Sequence, residues 1–166
     1  MKNITIILPV YKLDSDDIEM LHKALLSVED FHNDVKIIVV CPSYLKSIIS
    51  GIDFGQKLEV KIIYNSTSKT DFCTQINIGI DECNTEWFSI LEIDDEYNKI
   101  WLSSMNEYIK SFNDVDVFLP VVKDVNVEGK FLGFSNESVW AYGFSDRQGY
   151  LDNSLLLEYQ NFQTSG

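Results

Sequence analysis

Three carboxylates stand together directly after an apolar run: Glu92, Asp94 and Asp95 follow Trp87-Phe88-Ser89-Ile90-Leu91. Carboxylate oxygens suit hard divalent cations such as Mg²⁺ and Mn²⁺. The apolar run reads as a buried strand, and ligands of open α/β sheets bind beyond the carboxyl ends of the strands. The acids are therefore placed where a cation and its anionic ligand would sit. A second reading needs no cation, because Asp94, Asp95 and Glu96 also favour the positive amino end of a following helix. Spacing alone leaves both readings open.

Charge narrows the partners. The chain carries 26 acids against 13 bases, a net charge of −13, and Arg147 is its only arginine. Sequence-independent nucleic-acid binding works by neutralising phosphates with Lys and Arg, so it is not expected here. Anionic membrane surfaces are excluded for the same reason, whereas a divalent cation or a basic partner protein suits such a field. Cys41, Cys73 and Cys83 form no Cys-x-x-Cys pair, and His22 and His32 stand at no zinc-ligand spacing from them. They read as buried thiols of a reducing compartment. The apolar stretch from Ile4 to Val10 is short and broken by Pro9, so it is not read as a signal peptide. No run approaches the roughly 18 apolar residues of a membrane span. The expectation is a cytoplasmic protein.

The elements that must position the acids follow from hydrophobic pattern. Ile4 to Leu8, Val35 to Val40, Leu58 to Tyr64, Glu86 to Leu91 and Val115 to Val122 read as five strands. Between them lie helices. One follows Asp14-Ser15-Asp16-Asp17, with Ile18, Leu21, Leu25 and Val28 on one face. A short helix spans 43–50. Another follows Thr70-Asp71, with Phe72, Ile76 and Ile80 as its apolar face, and the next runs from about 98 to 112 and buries Ile100, Trp101, Met105, Tyr108 and Phe112. Alternation of this kind predicts right-handed βαβ units and a mostly parallel sheet. Beyond Val122, Val125-Asn126-Val127, Glu128-Gly129 and Phe131-Leu132 predict a hairpin. Val139 to Phe144 reads as a further strand and Ser154 to Phe162 as a last helix. With 166 residues and no linker, 1–166 reads as a single domain.

The order of these segments resembles family 2 glycosyltransferases. Ile6-Ile7-Leu8-Pro9-Val10-Tyr11 is similar to that family's first strand and Pro-x-Tyr loop, and Leu25-Leu26-Ser27-Val28 to its first helix. Asn77-Ile78-Gly79 matches the end of its Ala-Arg-Asn-x-Gly segment. Leu91-Glu92-Ile93-Asp94-Asp95 matches its Leu-Asp-x-Asp-Asp strand end, and Gly149-Tyr150-Leu151-Asp152 loosely matches its Gly-x-Phe-Asp segment. The resemblance implies a GT-A-like (Rossmann-like) three-layer α/β fold, with a mostly parallel central sheet and a C-terminal hairpin and helix. It also implies transfer of a sugar from a UDP-, GDP- or dTDP-sugar donor to an unknown acceptor. Asp94, with Glu92 in the place of the motif's first Asp, would hold Mg²⁺ or Mn²⁺ against the donor diphosphate. Pro9, Val10 and Tyr11 would wall the nucleotide pocket. Glu158, with Asp152 as the alternative, would take the proton of the acceptor hydroxyl.

The sequence also departs from that pattern. Cys41-Pro42-Ser43-Tyr44 replaces the strand end whose Asp reads the base, and Ile76 stands where the family carries Arg. Glu158 is followed by Tyr159, not by a second acid. A non-catalytic GT-A-like module, completed by a partner protein or by oligomerisation, is the competing expectation. A nucleotidyltransferase is disfavoured by the lack of a Gly-rich basic loop.

Overall fold

The structure is a computed structural model that describes residues 4–55 and 57–136. The chain divides into two compact units, Met1–Ser111 and Phe112–Gly166. The first is a parallel α/β unit. Its strands are β1 (Ile4–Pro9), β2 (Val35–Pro42), β3 (Val60–Asn65) and β4 (Trp87–Ile90). Its helices are α1 (Ser15–Glu29), α2 (Lys46–Ile49), α3 (Phe72–Asp81) and α4 (Trp101–Ser111), with a 3₁₀ turn at Ser43–Leu45 before α2.

The sheet order is β3-β2-β1-β4, and every pair is parallel. All six residues of β1 are buried, as expected of a central strand covered on both faces. Side chains alternate between those faces. Ile4, Ile6 and Leu8 of β1 and Val35, Ile37, Val39 and Cys41 of β2 join one core with Leu21, Leu25 and Val28 of α1, Ile49 of α2 and Leu102 of α4. Ile7 and Val40 point the other way and meet α3. The result is the three-layer α/β arrangement expected from the alternation of elements.

α1 starts where its cap dictates. The Asp14 carboxylate accepts from the N–H groups of Asp16 (3.1 Å) and Asp17 (3.2 Å), and the Asp17 carboxylate accepts from Asp14 N–H (3.0 Å). This reciprocal box satisfies donors that the first turn would otherwise leave orphaned.

α3 corrects the expected apolar face. Phe72, Ile76 and Ile80 are only half-buried, and the enclosed residues are Gln75 and Gly79. The reason is closeness of approach. A Cβ added at Gly79 would lie 2.5 Å from Ile7 Cγ2 and 3.3 Å from Val40 Cγ2, so the helix rests its one glycine directly on the sheet. Gly79→Ala is therefore expected to destabilise the protein by about 1–3 kcal/mol, the usual cost of overpacking, despite alanine's better helix propensity. Urea denaturation measures it, and an unchanged or raised midpoint would contradict the tight seat.

α4 is corrected in register. It begins at Trp101, not at 98, and its inward residues are Trp101, Leu102, Met105 and Ile109. Ile100, Tyr108 and Phe112 are exposed instead. Trp101 and Met105 lie inward as expected, but Leu102 and Ile109 take the places expected of Ile100 and Tyr108.

The second unit, in its described part, is a hairpin of β5 (Val121–Val125) and β6 (Phe131–Asn136), paired antiparallel as a separate sheet. Of the strand expected over 115–122 only Val121 and Val122 are paired, as the start of β5; 115–120 carries no strand, and Pro120 has no N–H to give a ladder. The hairpin itself is as expected. Asn126 accepts through Oδ1 from the N–H groups of Glu128 (3.1 Å) and Lys130 (2.8 Å), and Gly129 supplies the positive φ of 77°. The strand expected over 139–144 and the helix over 154–162 lie outside the described residues.

The cysteines do not share one environment. Cys41 is buried, and burial pushes its thiol up to about 11, which leaves it inert. Cys73 is exposed, contrary to expectation. At Cys83 burial raises the thiol, but hydrogen bonds from Thr85 and Thr5 hold it below its ordinary value on balance.

Candidate functional site

The chain crosses the sheet from β1 to β2 to β3, then returns to place β4 on the far side of β1. That reversal makes the carboxyl ends of β1 and β4 a topological switch point, the place where α/β sheets open a crevice. Register fixes what meets there. Ile7 pairs with Ile90, and Leu91 N–H continues the ladder to Ile7 O at 2.9 Å. Pro9-Val10-Tyr11 and Glu92-Ile93-Asp94-Asp95 therefore leave adjacent parallel strands at the same end. Residues more than eighty positions apart in sequence are brought together by strand pairing alone.

On the β1 side, Val10 N–H donates to Val40 O at 2.8 Å, which carries the sheet one residue past the strand. Pro9 is buried, and the Val10 side chain is wholly within the core. Tyr11 is the member of this trio with an exposed ring, at 41%. The ring stands edge-on to Phe72 at 6.2 Å, and the Tyr11 carbonyl accepts from Tyr44 Oη at 2.9 Å. Tyr44 and Phe72 are aromatic neighbours that sequence reasoning missed. The only available signal was Tyr44 following directly on the end of a buried strand.

At the end of β2, where an acid was noted as missing, Ser43 Oγ donates to Asn65 O at 2.9 Å. Asn65 in turn organises the loop after β3, accepting from Thr67 N–H (2.8 Å) and donating to Lys69 O (2.8 Å). This loop leads into the amino end of α3, where the Asp71 carboxylate accepts from Thr74 Oγ1 (2.7 Å) and N–H (3.0 Å). Those bonds, the hydroxyl first, hold the Asp71 carboxyl below its ordinary range.

On the β4 side, Glu92, Asp94, Asp95 and Glu96 are all exposed, while Ile93 packs against the core and turns the segment inward between them. Asp95 N–H closes a turn onto Glu92 O at 3.2 Å. The acids precede α4 by several residues and do not lie in its first turn, so the helix-end reading does not account for Glu92 or Asp94. Among the described residues no three His, Cys, Asp or Glu side chains converge as a metal-holding group. Glu92 and Asp94 are two exposed carboxylates at one strand end, and one or two carboxylates are the number with which Mg²⁺ is commonly held beside substrate phosphates and water. Glu158 and Asp152 lie outside the described residues.

One polar side chain close by is unsatisfied. Gln75 is fully buried, and neither its Oε1 nor its Nε2 has a hydrogen-bond partner. It stands one helical turn before Gly79, on the same face of α3 and nearer the strand ends that form the crevice. A shallow groove elsewhere, lined in part by Thr5, Lys36, Glu59, Lys61, Glu82 and Asn84, has both lysines engaged: Lys61 pairs with Glu82 at 2.6 Å, and Lys36 donates to Asn84 at 2.9 Å.

Comparison with known proteins adds to this geometry. The sequence model of glycosyl transferase family 2 matches residues 5–162. Three crystal structures of S. aureus TarS share the fold, each aligned over 77% of this chain at a TM-score of 0.54. One covers TarS residues 1–349, with 16% identity over 43% of that chain. Another is the same TarS fragment in complex with UDP-GlcNAc, with 18% identity over 36% of that chain. The third is a further structure of TarS, at 19% identity over 22% of its chain. This chain thus spans less than half of each of them. A search of curated proteins found no match. No helix among the described residues is long and apolar enough to cross a membrane.

Proposed function

The chain belongs to glycosyl transferase family 2, and on that premise we propose that it moves a sugar from a nucleotide-sugar donor to an acceptor hydroxyl, assisted by Mg²⁺ or Mn²⁺. The observation that carries this reading is the pairing of β1 with β4, which sets Pro9-Val10-Tyr11 beside Glu92-Ile93-Asp94-Asp95 at the switch point. One side of the crevice offers an aromatic ring to a base or ribose. The other offers carboxylates to a cation-bound diphosphate.

In the reaction, the acceptor oxygen forms a bond to the anomeric carbon as the bond from that carbon to the diphosphate oxygen breaks. The electron pair leaves with the nucleoside diphosphate. A divalent cation, when bound, stabilises that negative charge as a Lewis acid. Asp94 would hold it, with Glu92 as the second ligand. Tyr11 packs against the nucleoside, its backbone fixed by the bond from Tyr44. Glu158, or Asp152 in its place, accepts the proton of the acceptor hydroxyl. UDP-sugars are the first donors to test, because the structurally similar TarS was crystallised with UDP-GlcNAc.

A second reading, a non-catalytic module that works within an assembly, is favoured by the replacement of the base-reading acid by Cys41-Pro42-Ser43-Tyr44 and of the family's Arg by Ile76. Incubation with UDP-, GDP-, CDP- and dTDP-sugars in Mn²⁺ separates the two. Release of nucleoside diphosphate from one donor class is expected. Absence of release from every donor, together with a stable complex formed with a partner protein, would favour the module.

A further inference from the structure

The segment that carries the acids is held at both ends, and the second anchor is a residue that the function described above does not use. Tyr97 follows the acidic run. Its backbone N–H donates to Ser27 Oγ of α1 at 3.0 Å, and Ser27 Oγ donates onward to Ala24 O at 2.6 Å. Its hydroxyl lies 2.6 Å from Ser89 Oγ and 3.2 Å from Ile90 O. The carbonyl can only accept, so Tyr97 Oη donates to Ile90 O and accepts from Ser89. Its ring stacks on Trp101 at 3.9 Å with an interplanar angle of 11°. The first anchor is Leu91 N–H on Ile7 O at 2.9 Å. Six residues, 91–96, therefore span from a sheet bond to a side chain that reaches back to the last residues of the same strand.

That closure has a chemical consequence. Exposed carboxylates on an untethered loop lose entropy when they gather round a cation, and a loop held at both ends has lost most of it already. The tie to α1 is the bond from Tyr97 N–H to Ser27 Oγ, and the bond from Ser27 Oγ to Ala24 O holds that hydroxyl in place.

We propose that Tyr97 and Ser27 are positioning residues that set the Glu92–Asp95 carboxylates for a divalent cation, acting through the segment and not by contact with the ion. The inference rests on the donor-site reading given above. Outer partners of this kind are usually worth about 10–100-fold in metal affinity when removed.

The test is calorimetric titration of UDP into the full chain, in Mn²⁺ and in EDTA, with melting temperature followed in parallel. Tyr97→Phe keeps the ring stack and deletes only the hydroxyl. Ser27→Ala cuts the tie to α1, and Ser27→Thr restores an oxygen at the same place. Tyr97→Phe and Ser27→Ala are each expected to weaken the Mn²⁺-dependent binding about tenfold while leaving binding in EDTA unchanged. Their double variant should lose less than the product of the two, since both act on one segment. Ser27→Thr should bind as the wild type does. Equal losses with and without Mn²⁺ would overturn the inference, because a merely structural residue would behave so. Wild-type affinity in both variants would overturn it too, and would leave the donor reading intact. Absence of Mn²⁺-dependent binding in the wild type would bring down the donor reading and this inference together.

Discussion

Asp94→Ala is expected to abolish the Mn²⁺-dependent part of UDP binding while leaving the fold intact. Asp94 is exposed in a segment whose fold rests on Leu91, Ile93 and Tyr97, so the truncation removes no core contact. Surface changes of this kind usually move stability by less than about 0.5 kcal/mol. The effect on binding is of another order. A diphosphate and a cation each need the other's charge to bind in this acidic field, and on the proposed reading Asp94 is the carboxylate that would hold them to the protein. A loss of at least about tenfold in Mn²⁺·UDP affinity, or about 1.4 kcal/mol, is expected. Calorimetry in Mn²⁺ and in EDTA checks it. Glu92→Ala should act in the same direction but more weakly, because its longer side chain fixes the oxygen less firmly. Full Mn²⁺·UDP affinity in Asp94→Ala would remove that residue from the site.

Gln75→Met is expected to stabilise the free protein. A fully buried amide with neither end paired costs about 1–3 kcal/mol, and methionine fills nearly the same unbranched volume with no polar atom to desolvate. The urea midpoint should rise accordingly, by about 1–3 kcal/mol in unfolding free energy. Few substitutions at a wholly enclosed position are expected to raise stability, which makes the sign of the change informative. A fall in stability would mean that the amide finds hydrogen-bond partners in solution.

Much of the first unit was legible because its determinants are local and periodic. The β-branched runs of β1 and β2 could be little else, and Asp14 to Asp17 announced the start of α1. The acidic strand end was equally plain, since a strand and its last residues are contiguous in sequence. What the sequence hid was contact at distance. Gly79 looks like a poor helix residue until it is seen against Ile7 and Val40. Gln75 gives no sign of its burial in the sequence, because periodicity ranks apolar side chains and ignores how closely a helix is seated. The stripe of α4 was only partly legible, because its apolar residues fall on more than one side of the helix: Ile100 lies before its first residue and Tyr108 faces outward. The segment before Pro120 was misread because an apolar run does not say whether a neighbouring strand is there to pair with it.

The site divided along the same line. Pro9, Val10, Tyr11, Glu92 and Asp94 are strand-end residues, and the β1–β4 pairing brings them to one edge of the sheet. Tyr44 and Phe72 were not legible, because each reaches Tyr11 from a different element. Tyr97 was hidden for a related reason. Its partners Ser27 and Ser89 lie seventy and eight residues away, and no spacing rule joins a tyrosine to two serines on different elements.

The central claim is that this crevice binds a nucleotide donor. Thermal unfolding of the wild-type chain with UDP, GDP, CDP and dTDP, each with and without Mn²⁺, tests it most directly. At about 100 times its dissociation constant a bound ligand stabilises the native state by about 2.7 kcal/mol, which raises the melting temperature by several degrees. The account predicts such a rise with one nucleotide, dependent on Mn²⁺ and absent in Asp94→Ala. An unchanged melting temperature across all four nucleotides would contradict it.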